Sequence, residues 1–180
     1  MKKTTRFFGS LKFVFAVVLL LWTVHIVTLF VPLQQFGLIP RKLNGLIGIL
    51  TAPFLHANFY HLYANTIAIL TFGIIFALLE KKNTATLVIE ITILQGIALW
   101  LFGRTGNHIG ASGLIFGLFG YLLLVGYFQR QLKFIIVSLG VLVFYGGTLF
   151  GVLPTNARIS WEGHLYGFLA GCLVAKYSSK

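Results

Sequence analysis

Four polar side chains interrupt apolar stretches in a pattern that chemistry could use: Ser112, His164, His61 and Asn65. A serine hydroxyl paired with an imidazole is the minimal activated nucleophile. Imidazole and carboxamide groups carry N–H donors. Polar residues inside apolar helices cost free energy and are usually paired or functional. His61 and Asn65 are four apart and share a helical face. His164, Gly167 and Gly171 share another, and Gly113 and Gly117 stand beside Ser112 on a third. Small residues let membrane helices approach closely, so Ser112 Oγ is expected within hydrogen-bonding reach of the His164 imidazole.

The elements that must position these residues are membrane spans. Of 180 residues, 58% are hydrophobic and 9% charged, and the mean hydropathy is +0.92; a soluble domain carries about 25% charged residues. Apolar runs separated by charged or Gly/Pro/Asn-rich breaks predict spans near 11–31, 61–79, 84–102, 111–128, 134–153 and 163–177. The expected organisation is a cytoplasmic N-terminal segment (1–10), a six-span membrane domain (11–177) and a short tail (178–180). Residues 32–60, rich in Leu, Ile, Phe and Gly, form a structured outer loop lying partly in the interface. The basic start followed by an apolar stretch reads as a retained first helix, because no small-x-small cleavage site follows it. No internal repeat is visible, so the inverted-repeat signature of transporters is missing.

The formal charge of +11 comes from 14 Lys+Arg against Glu80, Glu90 and Glu162. The basic residues sit in short breaks between apolar runs and form no stripe, which argues against nucleic-acid binding. With a cytoplasmic N-terminus, ten basic residues fall inside and four outside, the bias of a protein with both ends cytoplasmic. The second, fourth and sixth spans then begin at the outer surface, so His61, Asn65, Ser112 and His164 share one depth. The single Cys172 can form no intrachain disulfide.

Three ordered motifs, His56-Ala-Asn-Phe-Tyr-His61-Leu-Tyr-Ala-Asn65, Gly110-Ala-Ser112-Gly113 and Gly163-His164-Leu-Tyr-Gly167-Phe-Leu-Ala-Gly171, resemble the rhomboid family of intramembrane serine proteases. The resemblance implies an all-α, six-transmembrane-helix bundle. It implies Ser112 as nucleophile and His164 as general base, a dyad without an acidic third member. The oxyanion would be held by the side chains of His61 and Asn65 and the N–H of Ser112. Gly110 would help shape the loop, Gly113 and Gly167 would support close packing, and His56 would be structural. Phe116 stands where the family often has the tyrosine that stacks on the histidine, which keeps the stacking and loses a hydroxyl. No Trp-Arg pair marks the first loop. Substrates would be transmembrane proteins cut near the outer face, with a small residue before the scissile bond and an unstable helix nearby. Membrane lipid is the other partner, and no cofactor is implied.

Two other function classes fit parts of the pattern. A rhomboid-like protein that binds membrane helices without cutting them would not need both Ser112 and His164. A small transporter or channel would need a polar path across the whole membrane, whereas the polar cluster is confined to the outer third. Single features also have plainer readings: glycines four apart as packing, a serine at a helix start as a cap, His25 as a satisfied interior residue. Glu162 diverges from His164 on a helix and is not read as a third member. His108 and Asn107 read as loop polarity or substrate-facing contacts, and Glu90 as hydrogen-bonded within the bundle or near the cytoplasmic interface. A zinc site from His56, His61 and His164 lacks a His-Glu-x-x-His motif to support it.

Overall fold

The computed structural model describes residues 2–79, 83–154 and 159–178. They form helices α1 (Lys2–Thr28), α2 (Gly48–Thr51), α3 (Phe59–Leu79), α4 (Thr84–Phe102), α5 (Ser112–Gln129), α6 (Leu132–Tyr145) and α7 (Trp161–Tyr177), with α6 continued by a 3-10 segment, Gly146–Val152. Short polar side chains open several of them by satisfying N–H groups that a helix start leaves unpaired. Asn58 Oδ1 accepts from the His61 N–H at 2.9 Å, Asn83 Oδ1 from the Ala85 N–H at 2.9 Å, and Ser160 Oγ from the Gly163 N–H at 3.3 Å. α1 begins well before the apolar stretch, its basic head continuing the same helix, as the good helix propensity of Lys and Arg allows.

Among the described residues, five segments are long and apolar enough to cross a membrane: Thr5–Thr28, Phe59–Leu79, Thr84–Phe102, Ser112–Gln129 and Leu132–Val152. The chain is therefore a multi-pass, all-α membrane protein. Six spans were expected; by length and composition five qualify, and the remaining candidate is α7, whose 17 residues extend about 25 Å.

α5 is the axis of the bundle. Its residues are buried almost throughout, and its most extensive neighbour is α7. The two helices run side by side in the same direction, closed at the far end by Gln129 Nε2 donating to the Ser178 carbonyl at 3.1 Å. Their approach depends on glycine: a Cβ at Gly167 would strike the Gly113 carbonyl, and one at Gly171 the Gly117 carbonyl. α6 is pinned to α5 by Ser138, whose Oγ accepts from the Gly126 N–H at 2.9 Å and donates to the Leu122 carbonyl at 2.7 Å. α1 joins α3 through Trp22 Nε1 donating to Thr66 Oγ1 at 3.1 Å. Apolar side chains exposed on α1 and α6, among them Phe15, Leu19, Val143 and Phe144, face lipid.

The first loop is built from 3-10 turns at Leu33–Phe36, Leu43–Gly45 and Ala52–Phe54 around α2. Leu38 and His108 exchange backbone hydrogen bonds of 3.0 and 2.8 Å, tying this loop to the α4–α5 loop. No adjacent Trp-Arg pair is present, yet an arginine and a tryptophan from separate segments stitch the loop down. The Arg41 guanidinium donates to the carbonyls of Gly103 and Leu101 at 2.7 and 3.2 Å, and Trp100 Nε1 donates to the Lys42 carbonyl at 3.0 Å.

Candidate active site

The first turns of α3, α5 and α7 open on one cavity of about 700 Å³, whose lining includes Ser112, His164, His61 and Asn65. Ser112 is the first residue of α5 and His164 lies in the first turn of α7. Their side chains meet at 2.9 Å, Oγ to Nε2. The other imidazole nitrogen, Nδ1, lies 2.8 Å from the Gly151 carbonyl. A carbonyl only accepts, so Nδ1 carries the proton and Nε2 presents its lone pair to the serine hydroxyl. The ring is further held by Phe116, stacked at 4.1 Å between centroids and 6° between planes. Glu162 points elsewhere: its Oε1 pairs with Arg104 Nε at 3.3 Å.

On α3, Asn65 is buried and its amide donates to His56 Nε2 at 2.9 Å. His56 has no solvent exposure, and its Nδ1 lies 3.3 Å from the Phe54 carbonyl. Both ring nitrogens are thus satisfied with the imidazole neutral. Burial, reinforced by the nearby His61, pushes the His56 pKa down to about 4 against a smaller opposing pull from the Phe54 carbonyl. His56 takes one N–H of the Asn65 amide and fixes its plane, leaving the second N–H for another acceptor. The His56 and His61 rings meet edge to face at 5.0 Å.

Gly110 has φ +114°, and a Cβ there would lie 2.6 Å from His61 Cε1. Only glycine adopts this conformation readily, and it lets the nucleophile loop lie against the His61 ring while its N–H donates to the Ala52 carbonyl at 2.9 Å. Gly113 and Gly167 meet at the α5–α7 contact next to the Ser112–His164 pair. The N–H of Ser112 stands at the start of α5, where helix donors have no intrahelical partner.

Several participants carried no sequence signal. Gly151 contributes a backbone carbonyl, which no side-chain pattern reveals. His108 was read as loop polarity or a substrate-facing contact; it is buried, with Nδ1 2.6 Å from Ser160 Oγ. Among the described residues, no group of three or more His, Cys, Asp or Glu side chains is arranged to hold a metal ion.

Comparison with known proteins decides the family. The model of the Rhomboid domain matches residues 43–180. The chain belongs to the rhomboid family. It is 43% identical over 148 residues to an uncharacterized protein of Mycobacterium tuberculosis, covering 77% of this chain and 62% of the relative. A Mycobacterium leprae protein, also uncharacterized, is 41% identical over 152 residues, covering 79% and 60%. The Bacillus subtilis protein named "Putative rhomboid protease YdcA" is 31% identical over 137 residues, covering 71% and 64%. The chain thus spans about three fifths of the length of these curated relatives. The rhomboid match takes in α3 to α7 and with them every side chain of the cavity named above.

Proposed function

We propose that this rhomboid-family protein is an intramembrane serine endopeptidase that hydrolyses peptide bonds of transmembrane proteins near the outer membrane face. The observation that carries the reading is the 2.9 Å contact between Ser112 Oγ and a His164 Nε2 whose tautomer is set by the Gly151 carbonyl. Ser112 Oγ attacks the scissile carbonyl carbon while His164 Nε2 takes its proton. The carbonyl oxygen becomes an oxyanion, held by the free N–H of Asn65, an N–H of His61 and the backbone N–H of Ser112. Collapse expels the amine, which receives the proton from His164, and leaves an acyl ester on Ser112. Water then enters from the outer surface, gives its proton to His164 and adds to the ester carbon; collapse breaks the bond to Ser112 Oγ, which takes the proton back from His164, and releases the acid. Gly151 contributes no full charge; it orients the ring and hydrogen-bonds the imidazolium.

The same reading takes α7 as the sixth span, because it accompanies α5 along its length. It places 1–10 in the cytoplasm, 11–177 in the membrane domain with 32–60 outside, and 178–180 as a cytoplasmic tail. The test is fluorophosphonate labelling of the purified full chain, with cleavage of a transmembrane substrate panel. Wild type should be labelled and cleave, and Ser112→Ala and His164→Ala should do neither, with the double variant no worse than either single one. A wild-type protein that is folded, unlabelled and inert would instead point to a rhomboid-like protein that binds membrane helices without cutting them.

A further inference from the structure

Immediately beside the Ser112–His164 pair lies a second hydrogen-bonded serine and histidine. His108 stands four residues before Ser112, and Ser160 four residues before His164. The two residue types are exchanged between the strands of chain that carry them, while the 52-residue separation repeats. His108 Nδ1 lies 2.6 Å from Ser160 Oγ, and His108 Nε2 lies 3.0 Å from the Arg104 carbonyl. The carbonyl needs a donor, so Nε2 carries the proton and Nδ1 accepts the Ser160 hydroxyl proton. The Ser160 oxygen also accepts the Gly163 N–H at 3.3 Å, capping α7. Arg104 adds two further ties, with Nε 3.3 Å from Glu162 Oε1 and Nη2 donating to the Ile159 carbonyl.

The Ser112–His164 contact joins two separate elements, the start of α5 and the start of α7. Towards the membrane interior their spacing is set by glycine contacts at Gly113/Gly167 and Gly117/Gly171. Those contacts lie on one side of the pair. The loop 103–111 that delivers Ser112 is bound to the first loop through Leu38 and through Asn107 Nδ2, which donates to the Gln34 carbonyl at 2.7 Å. Within these bonds, what ties that loop to α7 is His108–Ser160 and the Arg104 ties. His108 is therefore the point where the first loop, the nucleophile loop and the start of α7 meet.

We infer that His108 and Ser160 are positioning residues: their hydrogen bond braces the nucleophile loop against α7 and holds Ser112 Oγ and His164 Nε2 at bonding distance. This rests on the proposed Ser112–His164 mechanism. A brace of this kind acts on turnover, because an error of about 1 Å in a reacting pair costs on the order of 100-fold in rate. It does not act on substrate affinity.

The experiment uses the full chain in detergent, with Ser160→Gly, Ser160→Thr, His108→Ala, the Ser160→Gly/His108→Ala double variant and Ser112→Ala. Glycine is nearly as good an N-cap as serine but has no hydroxyl, so Ser160→Gly removes the brace and leaves most of the cap. Measured are the fluorophosphonate labelling rate, the labelled residue, kcat and KM on a cleaved transmembrane substrate, and Tm. Expected for Ser160→Gly and His108→Ala is a fall of roughly 10- to 100-fold in kcat and labelling rate at unchanged KM. The double variant should be no worse than either, and Ser160→Thr should restore the wild-type rate. Wild-type rates in both Ser160→Gly and His108→Ala, with Ser112→Ala unlabelled, would overturn the brace and leave the proposed nucleophile standing. A raised KM at unchanged kcat would also overturn it, making these residues substrate contacts. Label on Ser160 in Ser112→Ala would overturn both readings, since the outer pair would then be the nucleophile.

Discussion

Replacing Gly167 by alanine puts a methyl group into the contact that sets the Ser112–His164 distance. The added Cβ would stand 2.8 Å from the Gly113 carbonyl carbon and 3.2 Å from its Cα, with the carbonyl oxygen closer still. Ordinary carbon–carbon contacts are about 3.5–4.0 Å, and the obstacle is backbone, which cannot rotate aside. α7 must therefore move off α5 by roughly 1 Å, and the overpacking costs about 1–3 kcal/mol. His164 lies three residues along the same helix, and its 2.9 Å bond to Ser112 stretches towards ~4 Å, beyond a hydrogen bond. Loss of that geometry should lower the fluorophosphonate labelling rate about 100-fold. Gly140→Ala on α6 is the matched control, because a Cβ there meets nothing within 4 Å. Labelling rates and thermal unfolding in one detergent check the expectation. Gly167→Ala labelled at the wild-type rate, with unaltered Tm, would refute the reasoning that glycine contact sets the pair.

Three further outcomes follow from the site and the charge pattern. Asn65→Ala should lower kcat by roughly 10- to 1000-fold with little change in KM, as expected of an oxyanion donor; a large rise in KM at constant kcat would make Asn65 a ground-state contact. His56 has its pKa lowered to about 4, so the unfolded chain binds the extra proton as pH falls below the ordinary value of about 6.5. The stability it contributes is complete above that value and is lost between there and pH 4, so His56→Gln should flatten the fall of Tm across this window; identical profiles for the two proteins would contradict the buried neutral ring. Both termini should be cytoplasmic, the orientation that the ten-to-four distribution of basic residues favours; single cysteines at each end on a Cys172→Ser background should react only from the cytoplasmic side.

How much of this was legible in the sequence depended on where the information resides. The long apolar runs marked the spans, and glycines four apart on α5 and α7 marked the faces that meet. The count of six was less secure, because α7 is short and its glycine-rich contact face lowers its apolar content. The first loop was not legible: its turns depend on Arg41 and Trp100, which lie far apart in sequence and act on backbone carbonyls. The sequence shows no Trp-Arg pair in that loop, and nothing local points to the separate arginine and tryptophan that stitch it down. His108 and Ser160 were legible only as positions four residues before two more conspicuous ones, and nothing local said that they touch.

The Gly151 carbonyl, the least legible part of the site, explains how a serine–histidine pair stands without an acid. A carboxylate against His164 Nδ1 would fix the same tautomer and attract the imidazolium more strongly, but a charge held near membrane depth is costly to bury. A peptide carbonyl is already present and already polar, and at 2.8 Å it selects the same tautomer. What it lacks is net charge, so an imidazolium formed during attack would be stabilised less. On the proposed mechanism the shortfall moves to the other end of the reaction. There Asn65, held by His56, the His61 ring, held against Gly110, and the N–H of Ser112 would bind the oxyanion. A site arranged in this way should be more sensitive to the loss of an oxyanion donor than one that keeps a carboxylate behind its histidine.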